Sequence, residues 1–392
     1  MTLQKPPAGT QFRASEAGAA GLSGRSRPGV WFRPRRQPGR VGVLSLVRLL
    51  VSEVILVALL FVVLQQLWVL IAGGVLGVLL VVGVFGRSGG QWWTENLVLR
   101  LRYRLRDGAA GERRDDPRLA ALCELAPDLV VENIEGHGDI RLGMGSDGAG
   151  WFTVLEVVTA GMNGLLPPVP LAALARISAD AEQTGVVIQV VSHSTPVAGA
   201  EIRDHVTWVA IRLDAQAVAE SVIDDPDGQV DVPGVLAEIT RRVDRVLRRR
   251  GLNTRLLGAD EVVDALARSC DLSSAGGPAQ VREGWDAWHS ARLSHGCFWL
   301  RSWPDPERGT RMLAALAGLR GALVSIAFLL EPTYDGTSMT CLVRVATPPD
   351  RYRQTCDTVV RLAEQAGGRL SRLDGQHAPA VYASTPSGGG AR

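Results

Sequence analysis

The sequence predicts a membrane-anchored α+β protein: an N-terminal two-helix transmembrane hairpin, then a cytoplasmic domain of two β-α-β-β-α-β-like repeats. Three observations predict it. The stretch from Val54 to Phe85 carries no charge. Arginines crowd both of its flanks. From Trp151 onward a strand-helix-strand-strand-helix-strand order occurs, and then occurs again.

The apolar stretch sets the N-terminal expectation. One straight helix over its uncharged part would run about 48 Å, against a hydrocarbon core of roughly 30 Å. Two crossings fit better, within a hairpin segment 41–87, with spans at about 43–64 and 67–86 and a turn at Gln65-Gln66. Arg25, Arg27, Arg33, Arg35, Arg36 and Arg40 precede it, and Arg87, Arg100, Arg102, Arg104 and Arg106 follow it. The positive-inside bias then puts both termini in the cytoplasm of a multi-pass plasma-membrane protein. A cleaved signal peptide fits poorly, because the apolar part is too long and starts too late. Glu53 would sit inside the first span, at a cost of about 2–3 kcal/mol, and such a group usually faces protein. It is a candidate partner contact, with snorkelling as the alternative. Gly73 and Gly77 make a G-x-x-x-G face for close helix packing.

Residues 1–40 are rich in Gly, Pro, Ser and Arg and bury too little to fold, so a disordered basic cytoplasmic tail is expected. Residues 88–114 read as a juxtamembrane basic helix. Trp92-Trp93 suit an interfacial aromatic belt, and NLVLRLRYRLR sets Leu97, Leu101 and Leu105 at helical spacing among Arg100, Arg102, Arg104 and Arg106. Its alternation would also suit a strand.

Residues 115–385 form the expected α/β domain. The first repeat covers about 151–258, with strands WFTVLEVV, VVIQVVSH, HVTWVAIRLD and LNTRLLG and helices LAALARISADAEQTG and PGVLAEITRRVDRVLRRRG. The second covers about 292–374 in the same order, from LSHGCFWLRSW to RLSRLDG. Leu236, Ile239, Val243, Val246 and Leu247 make an apolar helix face that should pack on a sheet. The closing HAPAVYASTPSGGGAR reads as an edge strand and a loose tail, 386–392.

Composition narrows the function. A net charge of +2 over 392 residues argues against a nucleic-acid binder. Lys5 is the sole lysine, which rules out a G-x-x-x-x-G-K phosphate loop and hints at a GC-rich bacterial genome. The five cysteines contain no C-x-x-C, so free cytoplasmic thiols are expected. Gly143 to Gly148 match G-x-G-x-x-G, but the loop runs into a strand rather than a helix and reads as a hairpin turn. His193, His205, His289 and His295 are scattered over strand ends and loops, and no Cys or carboxylate stands at ligand spacing around the closest two, His289 and His295, so no metal, cofactor or small-molecule substrate is expected. Asp225 and Asp227 form a D-x-D that could hold a divalent ion against a diphosphate, which gives the alternative function, a membrane-tethered nucleotide-sugar-dependent glycosyltransferase. The same residues make an ordinary turn. Arg241, Arg242, Arg245, Arg248, Arg249 and Arg250 form a basic helix end suited to an acidic partner or anionic lipid, with Arg241, Arg245 and Arg249 as candidate contacts.

The basic tail, the hairpin, the Trp92-Trp93 exit, NLVLRLRYRLR, the WVAIRLD strand and LDGQHAPAVYASTPSGGG, taken in that order, resemble the EccE family of type VII (ESX) secretion membrane components. Where that family often ends on a Glu-Gln pair and PLGG, this chain has Gly375-Gln376 and Pro386-Ser387-Gly388. The resemblance implies a non-enzymatic structural subunit of an actinobacterial secretion complex, with EccB-, EccC- and EccD-like partners and the phospholipid bilayer. Transport energy would come from the ATPase EccC.

Overall fold

The computed structural model describes residues 67–88, 91–92, 116–135, 141–158, 168–181, 183–196, 203–224, 230–272, 281–333 and 336–390, with isolated positions between 40 and 104. These fall into two compact units, one within residues 33–108 and one within residues 109–392.

The smaller unit corrects the expected membrane hairpin. Strand β1 (Arg40–Val41) pairs antiparallel with β2 (Leu44–Ser45), so the chain is extended where the first span should begin. Helix α1 (Leu67–Phe85) has 19 residues and rises about 28 Å, short of the roughly 30 Å of a hydrocarbon core. It is followed directly by a second tight ladder, β3 (Arg87–Ser88) with β4 (Gln91–Trp92). Among the described residues, no helix is long and apolar enough to cross a membrane. The membrane-anchored fold class, the multi-pass plasma-membrane localisation and the bilayer as a partner are therefore withdrawn. Ile71, Val75, Leu76, Val78, Leu79 and Val82 are exposed on α1. The described positions of the arginine-rich stretch, Leu97, Leu99, Arg100, Leu101, Tyr103 and Arg104, are helical rather than extended. Residues 1–39 lie outside the described residues.

The larger unit is built on one 12-stranded, wholly antiparallel sheet. Helix α2 (Pro117–Cys123) opens it, with the Asp116 side chain accepting from the Arg118 amide and proline in the first turn. Strands β5 (Val130–Glu135), β6 (Arg141–Ser146) and β7 (Gly150–Val158) follow as a meander. The G-x-G-x-x-G segment is the β6–β7 hairpin: the Asp147 amide donates to the Gly150 carbonyl.

Then come α3 (Leu171–Ala179), β8 (Val186–Pro196), β9 (Arg203–Asp214), α4 (Ala215–Asp224), α5 (Val232–Arg249), β10 (Asn253–Leu256) and α6 (Ala259–Ser269). Two-residue strands β11 (Arg282–Glu283) and β12 (Trp288–His289) lead into β13 (Ser294–Ser302), α7 (Pro306–Ala317), β14 (Leu323–Thr333), β15 (Gly336–Thr347), α8 (Tyr352–Gln365), β16 (Arg369–Arg372) and α9 (His377–Ala383).

Pairing is equivalent in the two halves. β7 lies between β10 and β9, with β8 beyond β9; β13 lies between β16 and β15, with β14 beyond β15. The equivalent strands β8 and β14 then pair antiparallel from Ile188↔Leu330 to Ser194↔Val324. The halves therefore share one sheet instead of forming separate modules, and both put their helices on the same face. Alternation along each strand assigns the faces. Leu155, Val157, Val209 and Ile211 pack under α3 and α5, and Phe298, Val324, Ile326 and Val343 pack in the matching core of the second half. Phe152, Val154, Trp208, Ala327, Leu329 and Leu342 point to the opposite face, which α2, α6 and α9 cover.

The C-terminus is a second correction. HAPAVYASTPSGGG is neither an edge strand nor a loose tail. It forms α9, and then residues 384–389 run wholly buried along the second face. Glycine is required there. Gly388 and Gly389 have φ of 78° and 90°, and an added Cβ would overlap the side chains of Arg212 and Leu329 respectively. Gly389→Ala should thus lower unfolding stability by about 2–4 kcal/mol, from left-handed strain plus overpacking, measured by urea unfolding; an unchanged midpoint would contradict this placement of the chain end.

Candidate functional site

Helix α5 brings the sequence-predicted arginines onto one surface. Asp231 caps its start by accepting from the Gly234 amide at 3.1 Å, and Leu236, Ile239, Val243 and Leu247 are buried against the sheet. The 3.6-residue period then forces Arg241, Arg245 and Arg249 outward along one stripe. All three are exposed, as are Arg248 and Arg250. Arg241 pairs with Glu238 at 2.7 Å, and Arg248 with Asp244 at 2.9 Å while also donating to the Thr254 carbonyl at 3.1 Å. Arg245, Arg249 and Arg250 make no ion pair among the described residues, and they cluster at the helix C-terminus, where the macrodipole favours cations. Arg245, Arg249 and Arg250 offer positive charge to an acidic partner without first breaking internal pairs, whereas Arg241 and Arg248 are already paired.

The remaining predicted contacts belong to the smaller unit. Glu53 is helical and exposed, as are Arg100 and Arg104. Arg102 and Arg106 lie outside the described residues, and so do Asp225 and Asp227 of the D-x-D. Among the described residues, no group of three or more His, Cys, Asp or Glu side chains could hold a metal ion.

Sequence reasoning missed a polar network on the second face of the sheet. Arg212 on β9 has a side chain 2% exposed and grips Asp147 of the β6–β7 hairpin with both terminal nitrogens, at 2.8 and 2.7 Å. It also donates to the Ser387 carbonyl at 3.0 Å. The Tyr382 hydroxyl donates to the same carboxylate at 2.8 Å. Gln189 on β8 donates to the Ala383 carbonyl and accepts from the Gly388 amide, each at 2.8 Å. Burial opposes the Arg212 charge, but facing Asp147 outweighs it and holds the guanidinium above its usual range. Burial, reinforced by Asp147, holds Tyr382 well above its ordinary value, so it stays a donor. A signal was available: WVAIRLD sets an arginine on the strand face that Trp208 and Ala210 share.

A second cluster lies on the same face in the other half. Arg344 on β15 donates from one terminal nitrogen to Ser269 at 2.6 Å and Ser325 at 3.0 Å, and Ser325 also bonds His193 at 2.9 Å. His295 bonds Ser290 at 3.4 Å and meets the Trp288 ring edge-on. The five cysteines are buried, free thiols. Burial pushes Cys270 up to about 11 and Cys297 up to about 12, so neither is a thiolate at neutral pH.

Two outcomes are expected. Asp147→Asn leaves the Arg212 charge buried without a counter-charge and should cost about 3–5 kcal/mol in urea unfolding, whereas Tyr382→Phe removes one hydrogen bond to a charged group and should cost about 1.5–3 kcal/mol; equal, small losses would contradict the network. Stability should also fall on acidification. His295 and His377 are both held below the usual histidine value by burial. Below pH about 6.5 the unfolded chain therefore binds protons that the folded chain refuses, and stability declines by up to about 1.4 kcal/mol per pH unit per histidine. Comparing unfolding at pH 7.5 and 5.5 checks this, and His295→Gln should flatten the dependence.

Comparison with known proteins bears on the α5 region. No curated protein matches the chain. Residues 201–300, about a quarter of the chain, match the EccE family model, described as "Putative type VII ESX secretion system translocon, EccE"; the match runs from the start of β9 through α5 and α6 to Leu300 on β13.

Proposed function

We propose that the protein is a non-enzymatic structural subunit of a type VII (ESX) secretion assembly, docking neighbouring subunits through the basic end of α5. The observation that carries this reading is the EccE family match over residues 201–300, which contains Arg241, Arg245 and Arg249. The chemistry of the larger unit is in keeping with it. Its buried arginine–carboxylate pair is spent on holding the chain together, its cysteines are buried free thiols, and its unpaired arginines face outward on α5. Partners of EccB-, EccC- or EccD-like kind, with an acidic face, would fit that surface. Glu53, Arg100, Arg102, Arg104 and Arg106 are a second set of proposed contacts.

Affinity purification of the tagged protein from its native cells in mild detergent tests this. The wild type should bring down EccC- and EccD-like chains in one large complex, with recovery falling at high salt. Arg245→Glu with Arg249→Glu should weaken recovery about tenfold, the equivalent of about 1.4 kcal/mol, without moving the urea midpoint. Recovery of the protein alone, or wild-type recovery by the double variant, would count against the proposal.

A further inference from the structure

The two halves of the sheet carry one comparison within a single chain. Strands β9 and β15 hold equivalent positions, and each places one fully buried arginine on the second face: Arg212 is 1% exposed and Arg344 0%. Arg212 shows what such a group requires. It has a bidentate carboxylate and a main-chain carbonyl. Arg344 has neither. One terminal nitrogen reaches two serine hydroxyls, while its other terminal nitrogen has no hydrogen-bond partner and no described carboxylate lies within ion-pair distance; the Nε is unpartnered in Arg344 and Arg212 alike. A guanidinium does not lose its proton in a protein, so it cannot escape the cost of burial by becoming neutral. The surroundings are polar. They comprise Ser269, Ser325, the Cys270 thiol, and His295, whose Nδ1 is also wholly buried and unpartnered. The buried Asp271 carboxylate beside Cys270 is engaged elsewhere, by Ser290 and Arg292. Arg344 faces Cys297 across the β13–β15 ladder, and His295 lies two residues before Cys297 on the same face, which places the two groups in one neighbourhood.

We propose that this neighbourhood is an interior anion site, and that a small inorganic anion of the halide class sits against the open terminal nitrogen of Arg344. The ion supplies the counter-charge that Asp147 supplies to Arg212. A halide suits the site because it brings full negative charge in one atom and accepts N–H and O–H donors from any direction, in a region whose lining side chains are all fully buried. Positions 212 and 344 then solve one problem in two ways, one with a residue of the chain and one with an ion from solution.

The test uses the full chain. Replacing gluconate by chloride at constant ionic strength should raise the melting temperature by about 4 °C in the wild type, because the ion binds only the folded state. Arg344→Met should lose that response, while Arg245→Ala, on the surface, should keep it. Crystals grown in bromide should show an anomalous peak beside the Arg344 terminal nitrogen. Equal chloride responses in wild type and Arg344→Met would overturn the proposal, and so would bromide peaks confined to surface arginines or only water at the site. Should Arg344→Met fail to fold, the bromide experiment on the wild type decides alone.

Discussion

The bidentate pair between Asp147 and Arg212 is the interaction on which the second face of the sheet depends. Burying both charges is expensive, and their attraction offsets the cost only with good geometry and with the remaining hydrogen-bonding capacity filled. Here most of the filling comes from far along the chain, and only the Arg212 Nε is left without a partner. Tyr382, 235 residues after Asp147, donates to the carboxylate, and the Ser387 carbonyl takes a further guanidinium proton. The pair therefore joins the β6–β7 hairpin, the central strand β9 and the last residues of the chain. Gln189 clamps the same segment from β8, one strand across.

That closure gives the two faces different work. One is covered by α3, α5, α7 and α8, and the outer surfaces of α5, α7 and α8 are solvent-exposed and charged. The other is sealed by α2, α6 and α9 and keeps its polar groups inside. Because β8 and β14 join the halves edge to edge, displacement of either half strains the other through continuous main-chain hydrogen bonds. Such a body suits a part that presents a fixed surface to neighbours, and α5 displays its unpaired arginines on that frame.

Some of this was legible in the residues. The inward stripe of α5 followed from spacing alone, because Leu236, Ile239, Val243 and Leu247 leave one side of a helix no alternative to burial. The starts of α2, α5 and α7 were marked by Asp116, Asp231 and Asp305, each followed by a proline in the first turn. The chain end was not legible. Ser384 to Gly390 has the composition of a solvated tail, and only the three-dimensional approach of Arg212 and Leu329 shows that Gly388 and Gly389 are there for lack of room. The membrane hairpin failed for a related reason. Counting apolar residues presumes a helix throughout, and the pairing of Arg40–Val41 with Leu44–Ser45 begins the segment as extended chain. Arg212 and Arg344 stood in plain view within WVAIRLD and CLVRVAT. Strand alternation shows which face they share, but their partners lie at separations no local pattern encodes.

Hydrogen exchange followed by mass spectrometry on the intact protein tests the central claim most directly, that the last residues belong to the cooperative core. Peptides covering 377–390 should exchange as slowly as those of β9, and both should open together as denaturant is raised. Exchange of the C-terminal peptides within seconds, while β9 stays protected, would contradict it.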